Sequence, residues 1–403
     1  MDFTLTDEQE MLRSAIAGYL GARYDLEKSR AAAKSDAGWQ PAVWRGFADE
    51  LGLLGATLPE RVDGTGGGPV ELGLLGATLP ERVDGTGGGP VELMVIAEEL
   101  GRALVVEPFV DTVVLGAGLL ERSGGEQADA VLRRIVTGDA RVAFAALEPT
   151  SGATPHDVST TARRDGDAWV LDGEKTVVTS APLATDLLIT ARTSGERRDT
   201  AGISLFRLEF DASAPPAGVE VHTYRTIDDR TAADLVFTGL RLPADALLGT
   251  EADGWSVIEP TIAEATAAIC AEAVGCMRKV LADTIDYAKQ REQFGQPIGS
   301  FQVLQHRMVD MYIELEQAIA AVHLAVHSLR ASTDDRARAV SAAKVTVARA
   351  ARFIGQNAVQ LHGAMGMTEE LAIGHYFKRL TAIEHEFGST DEHLARYAAL
   401  TRP

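Results

Sequence analysis

Between Arg141 and about Leu248 the chain changes texture, and that change fixes the order of its domains. Short alternating or apolar runs follow one another there: VAFAAL, AWVLDGEKTVVT, DLLITAR, GISLFRLE, VEVHTY and DLVFTGLRL, divided by Gly, Asp and Pro. Period-two alternation with turn residues roughly every eight to twelve positions predicts a β-rich domain. Asp172-Gly173 reads as a turn between two strands. Upstream the pattern is helical. Thr6 reads as an N-cap with acidic residues in the first turn behind it, and Glu92–Leu104 (ELMVIAEELGRAL) is amphipathic at helical period. Asp129–Val136 reads as a further helix. Downstream of Gly254, Ile258–Gln290, Phe301–Leu329, Asp334–Leu361 and a last stretch from Glu370 are long and Ala-rich. Such segments with short connections predict an antiparallel four-helix bundle. The expected fold is an α+β multidomain chain: an N-terminal helical domain over 1–140, a β domain over 141–250 and a C-terminal helical bundle over 251–403.

A second feature lies inside the first of these domains. Residues 50–70, ELGLLGATLPERVDGTGGGPV, recur unchanged at 71–91. Two copies do not build a solenoid. Only one set of native contacts exists for such a segment, so the surplus copy is expected to loop out or displace the other. The triple glycines, Gly66–Gly68 and Gly87–Gly89, do not make a phosphate loop, because no Lys-Ser/Thr follows and no strand precedes them.

The formal charge of −20 excludes nucleic acid and anionic membrane as partners. It also repels a polyanionic ligand at long range, so any such ligand must be held by local basic groups and helix N-termini. The two cysteines, Cys270 and Cys276, are six residues apart in a helical stretch, about 600° of rotation. They have no metal-ligand or redox spacing and read as buried small hydrophobes in a reduced compartment. No metal site is expected. The start MDFTLTDEQEMLRSAI has no basic n-region and no apolar h-region, and no run of about 18 apolar residues exists, which predicts a cytoplasmic location.

The chemistry-bearing motifs lie in the bundle and the β domain. YAKQREQFGQPIGSFQ, Tyr287–Gln302, joins two bundle helices through a Phe-Gly turn and carries Arg291, Gln293, Phe294 and Gln302. Gln360-Leu-His-Gly-Ala-Met-Gly366 is a second Gly-bearing helix end that includes His362 and Gly363. His362 reads as a capping or core histidine as readily as a ligand-contacting one. In the β domain stand DGEKTVVTSA, Asp172–Ala181, and LEPTSG, Leu147–Gly152. These four motifs, together with the domain order over essentially the whole chain, resemble the acyl-CoA dehydrogenase family. The resemblance implies a helical domain, a β-barrel-like domain and a four-helix bundle, with FAD between domains and against another subunit. It implies that Arg291 reaches the flavin diphosphate of a neighbouring subunit, which suits the bidentate fork of a guanidinium. Gln293, Phe294, Gln302, Gln360, His362, Gly363, Gly366 and Thr179 are the other implied cofactor residues. Within these motifs the sequence departs from the family where Ala364 replaces a second glycine, Val177 a tryptophan and Leu147 a threonine.

The family's reaction removes an α-proton from an acyl-CoA thioester, and a carboxylate must be positioned over that proton. Of the family's two locations for the carboxylate, one aligns with Phe387 and the other with Ala265. In each case a glutamate stands one residue earlier, Glu386 and Glu264, about 100° away on a helix. Three readings follow. The chain resembles the base-lacking subunit of bacterial heteromeric, steroid-type acyl-CoA dehydrogenases, a dimer of dimers; or it is a self-sufficient dehydrogenase with Glu386 as its base; or it is a non-catalytic homologue. The resemblance further implies an acyl-CoA substrate and an electron-transfer flavoprotein as electron acceptor.

Overall fold

A computed structural model of the protein describes residues 4–35, 38–49 and 76–402. In chain order it forms α1 (Asp7–Arg23), α2 (Leu26–Lys34), α3 (Pro41–Asp49), α4 (Pro90–Arg102), a π-helix at Val110–Gly116, α5 (Ala117–Ser123) and α6 (Glu126–Val136). The strands follow: β1 (Val142–Ala145), β2 (Thr161–Asp165), β3 (Ala168–Thr179), β4 (Asp186–Arg192), β5 (Ile203–Glu209), β6 (Val219–Arg225), β7 (Thr231–Pro243) and β8 (Leu247–Leu248). The C-terminal part contains α7 (Trp255–Gln290), the short strands β9 (Glu292–Gln293) and β10 (Gln296–Pro297), then α8 (Gln302–Ser328), α9 (Thr333–His362), α10 (Ala372–His385) and α11 (Thr390–Thr401). Helical regions thus flank a central mixed sheet. The chain divides into two compact units. One comprises Met1–Leu26, Pro90–Val105 and Thr266–Pro403, the other Glu27–Gly89 and Val106–Ala265.

The first unit is all-helical apart from the β9–β10 hairpin. Helix α1 starts on a capping box: the Thr6 side chain accepts from the Gln9 N–H at 3.3 Å, and the Thr6 N–H donates to Gln9 Oε1 at 3.0 Å. Helices α4 and α7 meet backbone to backbone at a pair of glycines. A Cβ on Gly275 would lie 1.9 Å from the Glu98 carbonyl, and one on Gly101 would lie 2.0 Å from that of Glu272. Cys276 donates its thiol to the Gly101 carbonyl across the same contact at 3.1 Å. Both cysteines are buried and free, and burial pushes the Cys270 thiol up to about 11. The last stretch is two helices rather than one. Phe387 and Gly388 both have positive φ, at 56° and 109°, and two left-handed residues in succession end a right-handed helix. Ser389 and Glu392 then form a second capping box that starts α11.

The second unit is built on the sheet, whose strand order is β6-β7-β3-β2-β4-β5-β8, with β1 parallel to β4. The order ends at β6 and β8, which do not pair with each other, so the described strands form no closed barrel. Alternate residues of these strands, among them Trp169, Leu171, Leu187, Ile189, Phe206, Leu235 and Phe237, make its core. Trp169 meets Phe206 edge-on at 5.1 Å between ring centres. Asp172-Gly173 is not a turn. Strand β3 runs straight through it with a register shift against β7 between Leu171 and Gly173. Glycine is required there for a different reason: its φ is +150°, and a Cβ would lie 2.5 Å from Thr160 Oγ1. Asp172 accepts from the Gly239 N–H at 2.7 Å and pins the bulge. The turn between β2 and β3 is made by Gly166 instead, at φ +61°.

The first copy of the duplicated segment lies outside the described residues, as do residues 71–75 of the second. From Gly76 the second copy is engaged within its unit. Leu79 and Val83 are buried, Thr86 Oγ1 donates to the Ala77 carbonyl at 2.6 Å, and Arg82 pairs with Asp129 at 3.1 Å. Deleting 50–70 or 71–91 gives one and the same chain, which retains all of these partners. Its stability should therefore change by less than about 1 kcal/mol, the scale of a loop-length change. A denaturant titration showing a loss of several kcal/mol would refute this.

Candidate functional site

In the first unit α7 ends at Gln290 and the chain turns through β9 and β10. The Arg291 N–H still closes the last helical turn on the Tyr287 carbonyl at 2.8 Å. Phe294 and Gly295 are both left-handed, at φ 55° and 79°, as a two-residue hairpin turn demands. The turn thrusts Phe294 into solvent, 93% exposed, with its ring edge-on to Phe301 at 6.1 Å. Arg291, Gln293 and Gln302 are exposed beside it, and Gln293 Nε2 donates to the Glu292 carbonyl at 2.8 Å. Among the described residues Arg291 enters no ion pair.

The second motif comes to the first through an aromatic stack. The His362 ring lies on Tyr287 with centroids 4.3 Å apart and planes 25° from parallel. His362 is buried, and its Nδ1 meets the Ala358 carbonyl at 2.9 Å. Gly363, at φ +61°, caps α9 next to open space, and Gln360 is exposed. Gly366 has a packing reason: a Cβ there would lie 2.7 Å from the Val359 carbonyl. An arginine not spent on a carboxylate, exposed Phe294, Met365 and Met367, and glycines with room above them suit a diphosphate attached to flat rings. The donor set therefore fits FAD.

The elbow between α10 and α11 is held by buried charge. Arg379, 2% exposed, donates to Glu272 at 2.7 and 2.9 Å and to Glu386 at 2.5 and 3.2 Å. The Glu386 carboxylate is thus committed to a guanidinium shared with Glu272. The buried Lys344 ammonium donates to the Ile383 carbonyl and, at 2.8 Å, to that of Glu386. Burial lowers the pKa of this lysine. His393 Nε2 donates to the Phe387 carbonyl at 2.9 Å, and burial pulls this imidazole down to about 4, so it is neutral at pH 7. Phe387 thus stands on a backbone fixed on both sides. The sequence reading missed Arg379, Lys344 and His393. The seven-residue step from Arg379 to Glu386, two turns on one helix face, is the signal that could have found the first.

In the second unit the motif strand β3 has another register shift between Lys175 and Val178. The irregularity leaves Val177 at φ 50° and 47% exposed. Below it Lys175 is fully buried and donates to Glu148 at 2.8 Å, Thr190 at 2.9 Å and the Ala146 carbonyl at 3.3 Å. Burial disfavours the Glu148 charge, but Lys175, Ser159 and the Thr160 N–H overcome it and hold the carboxyl at about 2. This pair ties the Leu147–Gly152 motif to β3, and the Thr176 N–H donates to the Leu147 carbonyl at 2.9 Å. Thr179 donates its hydroxyl to Asp111 at 2.7 Å. The other candidate carboxylate, Glu264, is held by Arg122 at 2.5 Å, while its neighbour Ala265 is buried.

Comparison with known proteins gives a consistent result. Residues 69–139, 143–240 and 252–399 match the N-terminal, middle and C-terminal domain families of acyl-CoA dehydrogenases. The chain is 31% identical over 263 residues to the caffeyl-CoA reductase-Etf complex subunit CarC of Acetobacterium woodii, covering 65% of this chain and 69% of that one. A solved Tcur3481-Tcur3483 steroid ACAD variant superposes with a TM-score of 0.82 at 27% identity, over 98% of each chain. The ChsE4-ChsE5 complex of Mycobacterium tuberculosis shares the fold, with a TM-score of 0.83 at 24% identity over 100% of each chain.

Proposed function

Because the chain belongs to the acyl-CoA dehydrogenase family, and so works with FAD on acyl-CoA thioesters, we propose that it is the base-lacking subunit of a heteromeric enzyme. One observation carries this reading. The two positions that align with the family's base hold Phe387 and Ala265, and each neighbouring carboxylate is bound by an arginine, Glu386 by Arg379 and Glu264 by Arg122. A general base needs a lone pair aimed at the proton it removes. The oxygens of Glu386 are instead directed at a buried guanidinium that also serves Glu272.

In this reading a partner chain supplies the carboxylate that takes the α-proton. FAD, when bound, accepts the hydride from the β-carbon. This chain's own part is to bind and orient: Arg291 reaches the diphosphate of a neighbouring subunit's cofactor, and Thr179 faces the flavin ring system. The assembly is a dimer of dimers that passes electrons to an electron-transfer flavoprotein in the cytoplasm. Support comes from the relative that is a subunit of an Etf complex and from the structural neighbour solved as a two-protein complex. The acidic charge argues against nucleic acid. Among the described residues no helix is long and apolar enough to cross a membrane.

The test uses the visible spectrum. The chain expressed alone should not bleach with a saturated acyl-CoA, whereas the complex with its partner should carry flavin and bleach. Glu386→Gln should leave turnover of the complex within about twofold, the range of a residue outside the proton transfer. A loss on the order of 10²-fold or more would identify Glu386 as the base instead and sink the proposal.

A further inference from the structure

We infer that Asp111 is a positioning residue: it fixes the Thr179 hydroxyl as a hydrogen-bond acceptor, places an uncompensated negative charge behind it, and so tunes the reduction potential of the flavin. Asp111 lies on the π-helix Val110–Gly116, an uncommon geometry that re-aims side chains relative to a regular helix. The next residue pins this segment to β1: Thr112 Oγ1 accepts from the Val142 N–H at 3.0 Å and donates to its carbonyl at 3.3 Å. The aim of Asp111 is therefore set by the fold. Its Oδ1 accepts from Thr179 Oγ1 at 2.7 Å, and its Oδ2 accepts from the Ser180 hydroxyl. Ser180 is held at φ +58° while its N–H donates to the Thr231 carbonyl at 2.9 Å.

An ionised carboxylate has no proton to give. Both hydroxyl protons therefore point at Asp111, and Thr179 Oγ1 turns only lone pairs toward any other neighbour. Among the described residues no lysine or arginine pairs with Asp111. A strut between helix and strand would need the hydrogen bonds but not the net charge. An anion one hydroxyl away from an electron acceptor opposes the negative charge that reduction brings, and in a partly buried setting its field is poorly screened. The inference rests on Thr179 facing the flavin, as proposed above.

A spectroscopic redox titration of the flavin-loaded complex tests it, with Asp111→Asn and Thr179→Val compared against the unaltered complex. Asparagine keeps a hydrogen-bonding group between the two elements and removes the charge. The expected result is a positive shift for Asp111→Asn, about tenfold in the two-electron reduction equilibrium or about 30 mV, with a spectral or potential change also for Thr179→Val. If only Thr179→Val moves the flavin, Asp111 is a strut and the inference is overturned while Thr179 keeps its place. If neither variant moves it, the placement of Thr179 fails and takes the inference with it. A negative shift for Asp111→Asn overturns the charge argument. Should the asparagine variant not fold, Asp111→Ala carries the same expected sign.

Discussion

Phe387→Glu is expected to give the flavin-loaded chain acyl-CoA-dependent bleaching that it otherwise lacks, with a rate gain on the order of 10²–10⁴-fold, the usual contribution of a positioned general base. The elbow is already built for such a residue. His393 fixes the Phe387 carbonyl, Lys344 fixes the carbonyl of Glu386, and Arg379 fixes the Glu386 side chain. Residue 387 is left-handed, at φ 56°, and an unbranched glutamate meets no more strain there than phenylalanine does. The new carboxylate therefore needs no backbone movement. Single-turnover reduction of bound flavin by a saturated CoA ester is the measurement. Should the variant hold flavin and CoA ester yet reduce no faster than the unaltered chain, residue 387 does not face the α-carbon. The assignment of a vacant base position would then be wrong.

The second large effect concerns stability. Arg379→Met should destabilise the protein by about 3–5 kcal/mol, because it leaves the buried Glu272 and the partly buried Glu386 facing each other without their cation. Adding Glu272→Gln to that background should recover a large part of the loss, since one of the two uncompensated charges is then gone. Arg379→Lys should not substitute fully. A single ammonium cannot reproduce the planar fork that engages four carboxylate oxygens at 2.5–3.2 Å. Denaturant unfolding of the three variants checks this, and a loss below about 1 kcal/mol for Arg379→Met would place the cluster among weak surface pairs.

Whether Glu386 or Glu264 is free to take a proton is a question of their partners, and so the sequence left it open. Periodicity marks helices and strands because each is stabilised by neighbours a few residues away. The long C-terminal helices, the sheet region after Arg141 and the Thr6 cap were therefore readable from local pattern. The Gly173 position shows the limit. Its Asp-Gly dipeptide is a turn signal in isolation, but β7 pairs across it and Thr160 crowds it, so the strand continues with a bulge. The break at Phe387 within the last helical stretch likewise depends on the carbonyl contacts of Lys344 and His393.

The amino-acid order by itself determined the succession of helical, sheet and helical regions and the family. What became of the neighbouring carboxylates was decided only in three dimensions. Arg379 stands seven residues from Glu386, within reach of local spacing, but its other partner Glu272 is 107 residues away, and Arg122 is 142 from Glu264. Charge pairing over such separations is fixed by how helices pack, and nothing in local spacing encodes it. The same holds for Asp111, whose grip on Thr179 spans 68 residues and depends on a π-helical turn that no periodicity announces.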